Sequence, residues 1–196
     1  MIEINDFVSS VKKFHASGWM PGSSGAVAEL SDTISTNSKK IFMTPDTFDV
    51  CSLSSSDLFV LRDLYGSQDV QTPIRGNFTL SKWASVFFYL LGKTSSNAVV
   101  FLPTKNASLI SLKTIQMWRE NSESHPNLLR LGYWGLLTDL GYTSEMYIPV
   151  IDCKADEALT HVENVFNHYP FPFPAILVRG YGLLTWDASL ATLRNK

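Results

Sequence analysis

The stretch from Asn97 to Asn106, NAVVFLPTKN, constrains this chain more than any other. Ala98, Val99, Val100, Phe101 and Leu102 form an unbroken apolar run, bounded by Asn97 and Pro103. A short run with β-branched residues and no polar alternation reads as a strand buried on both faces. Thr104-Lys105-Asn106 then opens a loop or a helix. In many metal enzymes the end of such a strand carries the chemistry. Here it ends Phe101-Leu102-Pro103, which offers no ligand, acid, base or nucleophile. It is either an ordinary core strand or a site emptied of its chemistry.

The flanking segments supply the layers. Phe7, Val11 and Phe14 recur at helical spacing, with Asn5 placed to cap the start and Gly18 to end it. The turn Gly18 to Gly25 is rich in glycine and serine, a composition that can aim several backbone N–H groups at one anion. Ala26–Leu30 and Lys40–Thr44 read as strands joined by the polar hairpin Ser31–Ser38. Ser54–Asp57 reads as a capped turn before a strand at Leu58–Leu61, and Gly66–Asn77 as irregular. Helices are expected over Leu80–Leu91, Ser108–Trp118, Leu128–Leu140 and Asp156–His168. Strands are expected at Tyr147–Ile151, Ala175–Val178 and Leu183–Trp186. This order predicts one α/β (α+β layered) domain over residues 1–196, with a central, mostly antiparallel sheet flanked by helices.

Charge and composition narrow the partners. Only 17% of the 196 residues are charged against 45% hydrophobic, which leaves apolar surface for a protein partner. The net charge of −2 provides no basic field for nucleic acid or for an anionic membrane. No apolar run is long enough to cross a bilayer, and the N-terminus lacks the pattern of a signal peptide. Cys51 and Cys153 are the two cysteines, too far apart for a metal-binding pair, so a reduced, cytoplasmic protein is expected. No GxSxG elbow supports a serine triad, Cys153 and His161 lack the spacing of a dyad, and Trp83, Phe87, Phe88 and Tyr89 read as core or interface.

Four segments in order resemble the class II aldolase/adducin family, and its bacterial methylthioribulose-1-phosphate dehydratases of methionine salvage most of all. Gly18-Trp19-Met20-Pro21-Gly22-Ser23-Ser24-Gly25 resembles the family's phosphate loop. Asn97–Val100 with Asn106-Ala107 resembles the strand that carries its HxH. Tyr147-Ile148-Pro149-Val150-Ile151-Asp152 resembles its VPIxDN strand, and Leu177 to Trp186 its RGHGLYTWG segment. The resemblance implies the class II aldolase-like fold, usually a tetramer with sites between subunits. It also implies a zinc ion on three histidines that polarises a sugar phosphate. The chain stops ten residues after Trp186, so the family's last helix is expected to be truncated.

Carried over position by position, the chemistry is missing. The HxH pair falls on Phe101 and Pro103, and the third histidine on Tyr181. The family's two glutamates fall on Lys82 and Trp134, neither of which can accept a proton as a carboxylate does. Lys82 either faces solvent or places an ammonium where zinc would sit. The loop's asparagine is Ala26. Asp46 stands beside the phosphate position, where a like charge at about 4 Å and an effective dielectric of about 20 costs about 4 kcal/mol. Ser23, Ser24 and Ser81 remain, either as a phosphate-binding remnant or as hydrogen-bonding residues of tight turns. His161 and His168, seven apart on one helix, read as solvent-facing.

The expectation is therefore a zinc-less, non-catalytic homologue, a pseudoenzyme with no cofactor, acting as a binding or assembly subunit. It would form a homo-oligomer, tetramer or dimer, or a mixed assembly with a catalytic relative. The alternatives are an active sugar-phosphate dehydratase or aldolase, a carbon–oxygen lyase in the first case, and a small-molecule sensor using the vacated pocket.

Overall fold

The computed structural model describes residues 3–33, 38–62, 70–71, 73–74, 76–120, 128–131, 146–169 and 172–194. Helix α1, Ile4–Ala16, buries Phe7, Val8, Val11 and Phe14 along one stripe. It begins at Glu3 rather than at Asn5, with Asp6 in the first turn, where the helix dipole favours an acid. It ends as expected at Gly18, whose φ of 76° is the left-handed conformation that closes the last turn, its N–H donating to the His15 carbonyl at 2.8 Å.

The strands are β1 Ala26–Thr33, β2 Ser38–Met43, β3 Phe59–Leu61, β4 Val70–Gln71, β5 Ala98–Leu102, β6 Leu128–Leu131, β7 Met146–Ile151, β8 Ala175–Val178 and β9 Gly182–Asp187. Among the described residues they make one nine-stranded sheet in the order β4-β3-β2-β1-β5-β9-β8-β7-β6. Every neighbouring pair is antiparallel except β7 and β8. The strand expected to be buried on both faces, β5, is the central one, and all five of its residues are buried. Its Val99 and Phe101 join the core on one face, and Ala98, Val100 and Leu102 the core on the other.

The helices complete the layers. Helix α2, Ala84–Lys93, buries Val86, Phe87 and Leu90 against the first face, each worth about 1.5–3 kcal/mol of transfer free energy. Helix α3, Lys105–Glu120, follows β5 directly. Helix α4, Ala158–His168, supplies Ala158, Val162 and Val165 to the same face as α2 and provides the crossover that the parallel pair β7–β8 requires. On the second face, α1 meets the short terminal helix α5, Leu190–Arg194, through Phe7, Val11, Leu190 and Leu193.

Three expectations change. Val70–Gln71, within the stretch Gly66–Asn77 expected to be irregular, forms the edge strand β4, because β3 offers it a pairing edge. Leu80 does not open a helix but bridges to Pro45, and α2 starts only at Ala84. The helix expected over Leu128–Leu140 is at its beginning a strand: β6 pairs with β7, Leu129 opposite Ile148 and Leu131 opposite Met146. The run Leu128-Leu129-Arg130-Leu131 suits either state, and the open edge of β7 decides it. Residues 132–140 lie outside the described residues. The capped turn is as expected: Asp57 Oδ2 accepts from the Ser54 N–H at 2.8 Å and the Ser54 hydroxyl at 2.6 Å. The ten residues after Trp186 include the short helix α5.

Candidate functional site

Two turns meet at the C-terminal end of β5. On one side lies the serine-glycine turn. A Cβ on Gly25, whose φ is +115°, would lie 2.9 Å from the Phe101 carbonyl oxygen and 3.2 Å from Pro103 Cδ, so only glycine fits there. On the other side is the β8–β9 turn, where a Cβ on Gly182 would collide with the Leu102 carbonyl and come within 2.7 Å of Pro103 Cα. Tyr181, immediately before Gly182, is 52% exposed, its N–H donating to the Val178 carbonyl at 3.0 Å. Phe101, Pro103 and the Tyr181 turn are thus adjacent.

Phe101 is fully engaged. Its ring stacks on Trp83 with centroids 4.0 Å apart and planes 19° apart, both residues being buried. The Trp83 N–H donates to the buried Ser81 hydroxyl at 3.2 Å, and Ala84 N–H to the Ser81 carbonyl at 2.9 Å, so Ser81 shapes the entry to α2. Lys82 is exposed between them, and its backbone N–H donates to Asp46 Oδ1 at 3.2 Å. Asp46 therefore ties the loop after β2 to the one before α2. The serines of the first turn are also engaged: the Ser23 hydroxyl accepts from the Val50 N–H at 3.2 Å, and the Ser24 hydroxyl donates to the Pro21 carbonyl. Thr44 Oγ1 accepts from the Val27 N–H at 3.0 Å. Trp134 lies outside the described residues.

A latch holding the β8–β9 turn was not foreseen. Ser111, buried on α3, accepts the Gly180 N–H at 2.9 Å, and its carbonyl accepts from Arg179 Nη1 at 3.3 Å. Arg179 Nε also pairs with Asp152 Oδ2 at 3.0 Å, joining the end of β8 to the end of β7. Sequence separations of this size leave no periodic signal, although Arg179 and Asp152 both lie in the segments that carry the resemblance. Thr104 starts α3, its hydroxyl accepting the Ala107 N–H at 3.2 Å, which settles the role of Thr104-Lys105-Asn106. His168 lies far along α4, where its Nδ1 donates to the Asn164 carbonyl at 2.8 Å.

Among the described residues, no group of three or more His, Cys, Asp or Glu is arranged to hold a metal ion. At the three converging positions the donor set is the phenol of Tyr181 alone, since the Phe101 and Pro103 side chains have no donor atom. A tetrahedral zinc with three nitrogen ligands does not fit these residues.

Residues 5–196 match the family model for the class II aldolase and adducin N-terminal domain, and the chain belongs to that family. A Caenorhabditis elegans protein described as a probable methylthioribulose-1-phosphate dehydratase is 27% identical to it over 189 residues, which are 93% of this chain and 67% of that protein. The structure of an L-fuculose 1-phosphate aldolase superposes with a TM-score of 0.66 at 14% identity, covering 98% of this chain and 78% of the aldolase. A sugar-phosphate aldolase from Thermotoga maritima superposes at 0.61 with 12% identity, covering 96% and 85% respectively. At these identities the structures establish the shared fold, a class II aldolase-like sheet flanked by helices. Among the described residues, no helix is long and apolar enough to cross a membrane.

Proposed function

We propose that this chain is a zinc-less, non-catalytic relative of methylthioribulose-1-phosphate dehydratase that serves as a binding or assembly subunit. The observation that carries this reading is the end of β5. Phe101 is spent on a stack with Trp83, and Pro103 is wedged between two glycines. Both positions serve packing, and neither offers a metal a lone pair. Lys82 and Trp134 stand where the resemblance puts the acid–base carboxylates. Assembly is supported by the surface beside the site: Leu109, Ile110 and Leu112 of α3 are exposed, and Leu112 reaches to 3.9 Å of a Cβ built on Gly180.

The test is metal analysis joined to an activity assay. Purified protein should carry no stoichiometric zinc, a chelator should leave its melting temperature unchanged, and methylthioribulose 1-phosphate should not be turned over. The triple variant Phe101→His, Pro103→His, Tyr181→His should acquire weak zinc binding without dehydratase activity, because electrophile and base act as a unit. One tightly held zinc per wild-type chain, or turnover, overturns the reading.

A further inference from the structure

A second cluster of reactive side chains lies behind the serine turn. Val50, whose N–H is held by Ser23, is followed by Cys51, an exposed thiol. The Cys51 N–H donates to Asp49 Oδ1 at 3.1 Å. The Ser52 hydroxyl and then the Cys51 N–H hold the Asp49 carboxyl below the usual range, so the loop's anchor stays an acceptor. Cys51 Sγ is 4.0 Å from Nε2 of His15, near the end of α1. The other ring nitrogen of His15, Nδ1, is 2.8 Å from the Met20 carbonyl oxygen. A carbonyl can only accept, so Nδ1 carries a proton, and in the neutral ring it is Nε2 that turns its lone pair toward the thiol. A nucleophile, a base within reach of it and a third group orienting the base form the arrangement that activates cysteines.

The other cysteine is a built-in contrast. Cys153 is buried, and its thiol is pushed up to about 11, first by burial and then by the charges of Glu157 and Asp152.

We propose that Cys51 is a reactive thiol with His15 as its proton acceptor, and that it is a site of oxidation by peroxide. In the step, His15 Nε2 takes the thiol proton and the sulfur electron pair attacks one peroxide oxygen. The O–O bond breaks, and the departing hydroxide takes the proton back from His15 to leave as water. The sulfur is oxidised by two electrons to the sulfenic acid, and the peroxide is reduced. Nothing in this step draws on the end of β5, so it stands apart from the proposed loss of catalysis.

Hydrogen peroxide at neutral pH, with dimedone trapping and mass spectrometry of each cysteine peptide, tests the proposal. Native Cys51 should be trapped at least about tenfold faster than native Cys153, and faster than Cys51 of the same chain unfolded in urea. His15→Gln should lower the native Cys51 rate to that of the unfolded chain, while a still-protected Cys153 reports that the variant is folded. A native Cys51 rate no greater than the unfolded rate overturns the proposal, as does a folded His15→Gln variant that reacts like wild type. If that variant fails to fold, the comparison of native with unfolded wild type decides alone.

Discussion

At the position where the resemblance places a metal ligand, Phe101 does the work of a core residue. Its ring is covered on one face by Trp83 and its backbone by Gly25, so truncation cannot be healed by a small shift of neighbours. Phe101→Ala should cost about 3–5 kcal/mol, read as a lower urea midpoint with an unchanged slope. A smaller loss would mean that the ring is dispensable to the fold. These positions were legible because a both-faces apolar run and glycine-marked turns are local patterns. The partners of Ser23, Ser111 and His15 were not. Each is a single polar side chain that finds its partner across the fold, and neither period nor composition records such a meeting.

Among the elements, β5, α1 and α4 are legible in the sequence, and the edge strands β4 and β6 are not. The strand β5 and the amphipathic helices α1 and α4 carry their environment in their own residues. The short run Leu128–Leu131 does not, and pairing with β7 determines its state. The terminal helix shows the same dependence on a partner. Its first N–H, at Leu190, donates at 2.9 Å to Oε1 of Glu29, a β1 residue only 3% exposed. Burial raises the Glu29 carboxyl above its ordinary 4.5, the Leu190 N–H opposes that rise, and the charge of Asp6 adds to it. The folded chain therefore holds this proton more tightly than the unfolded one. Glu29 favours the fold below pH 4.5, and that contribution is lost as pH rises through the elevated folded value. Glu29→Gln keeps the acceptor without the charge. At neutral pH it should melt no lower than wild type, and the fall in stability just above pH 4.5 should flatten in a pH series of thermal melts. A variant that is less stable at neutral pH and keeps the wild-type slope would show that the carboxylate is a favourable partner there.

For the whole molecule, layers on both faces of one sheet followed from the apolar run and the alternation of helices and strands. The exposed side chains of α3 beside the Tyr181 turn add a surface feature that the share of apolar residues had only suggested. Association through this region should produce a homo-oligomer, a tetramer or a dimer, or a mixed assembly with a catalytic relative. Sedimentation at micromolar concentration measures it directly. A single species of monomer mass, unchanged when a catalytic relative is added, would remove the support for an assembly role.

The central place of β5 also governs how the chain reaches this structure. Ala26 pairs with Phe101, and Phe101 pairs with Leu184, so both ladders of the middle strand join residues remote in sequence. Each ladder closes a long loop before any contact rewards it, and the second cannot begin until β9 has been synthesised. During synthesis β5 can acquire β1 on one side while its other edge stays unpaired. That edge belongs to a strand without a single polar residue, a template for pairing with another chain. The residues that fix the finished fold most firmly are thus the ones most exposed to misassembly while the nascent chain is still incomplete.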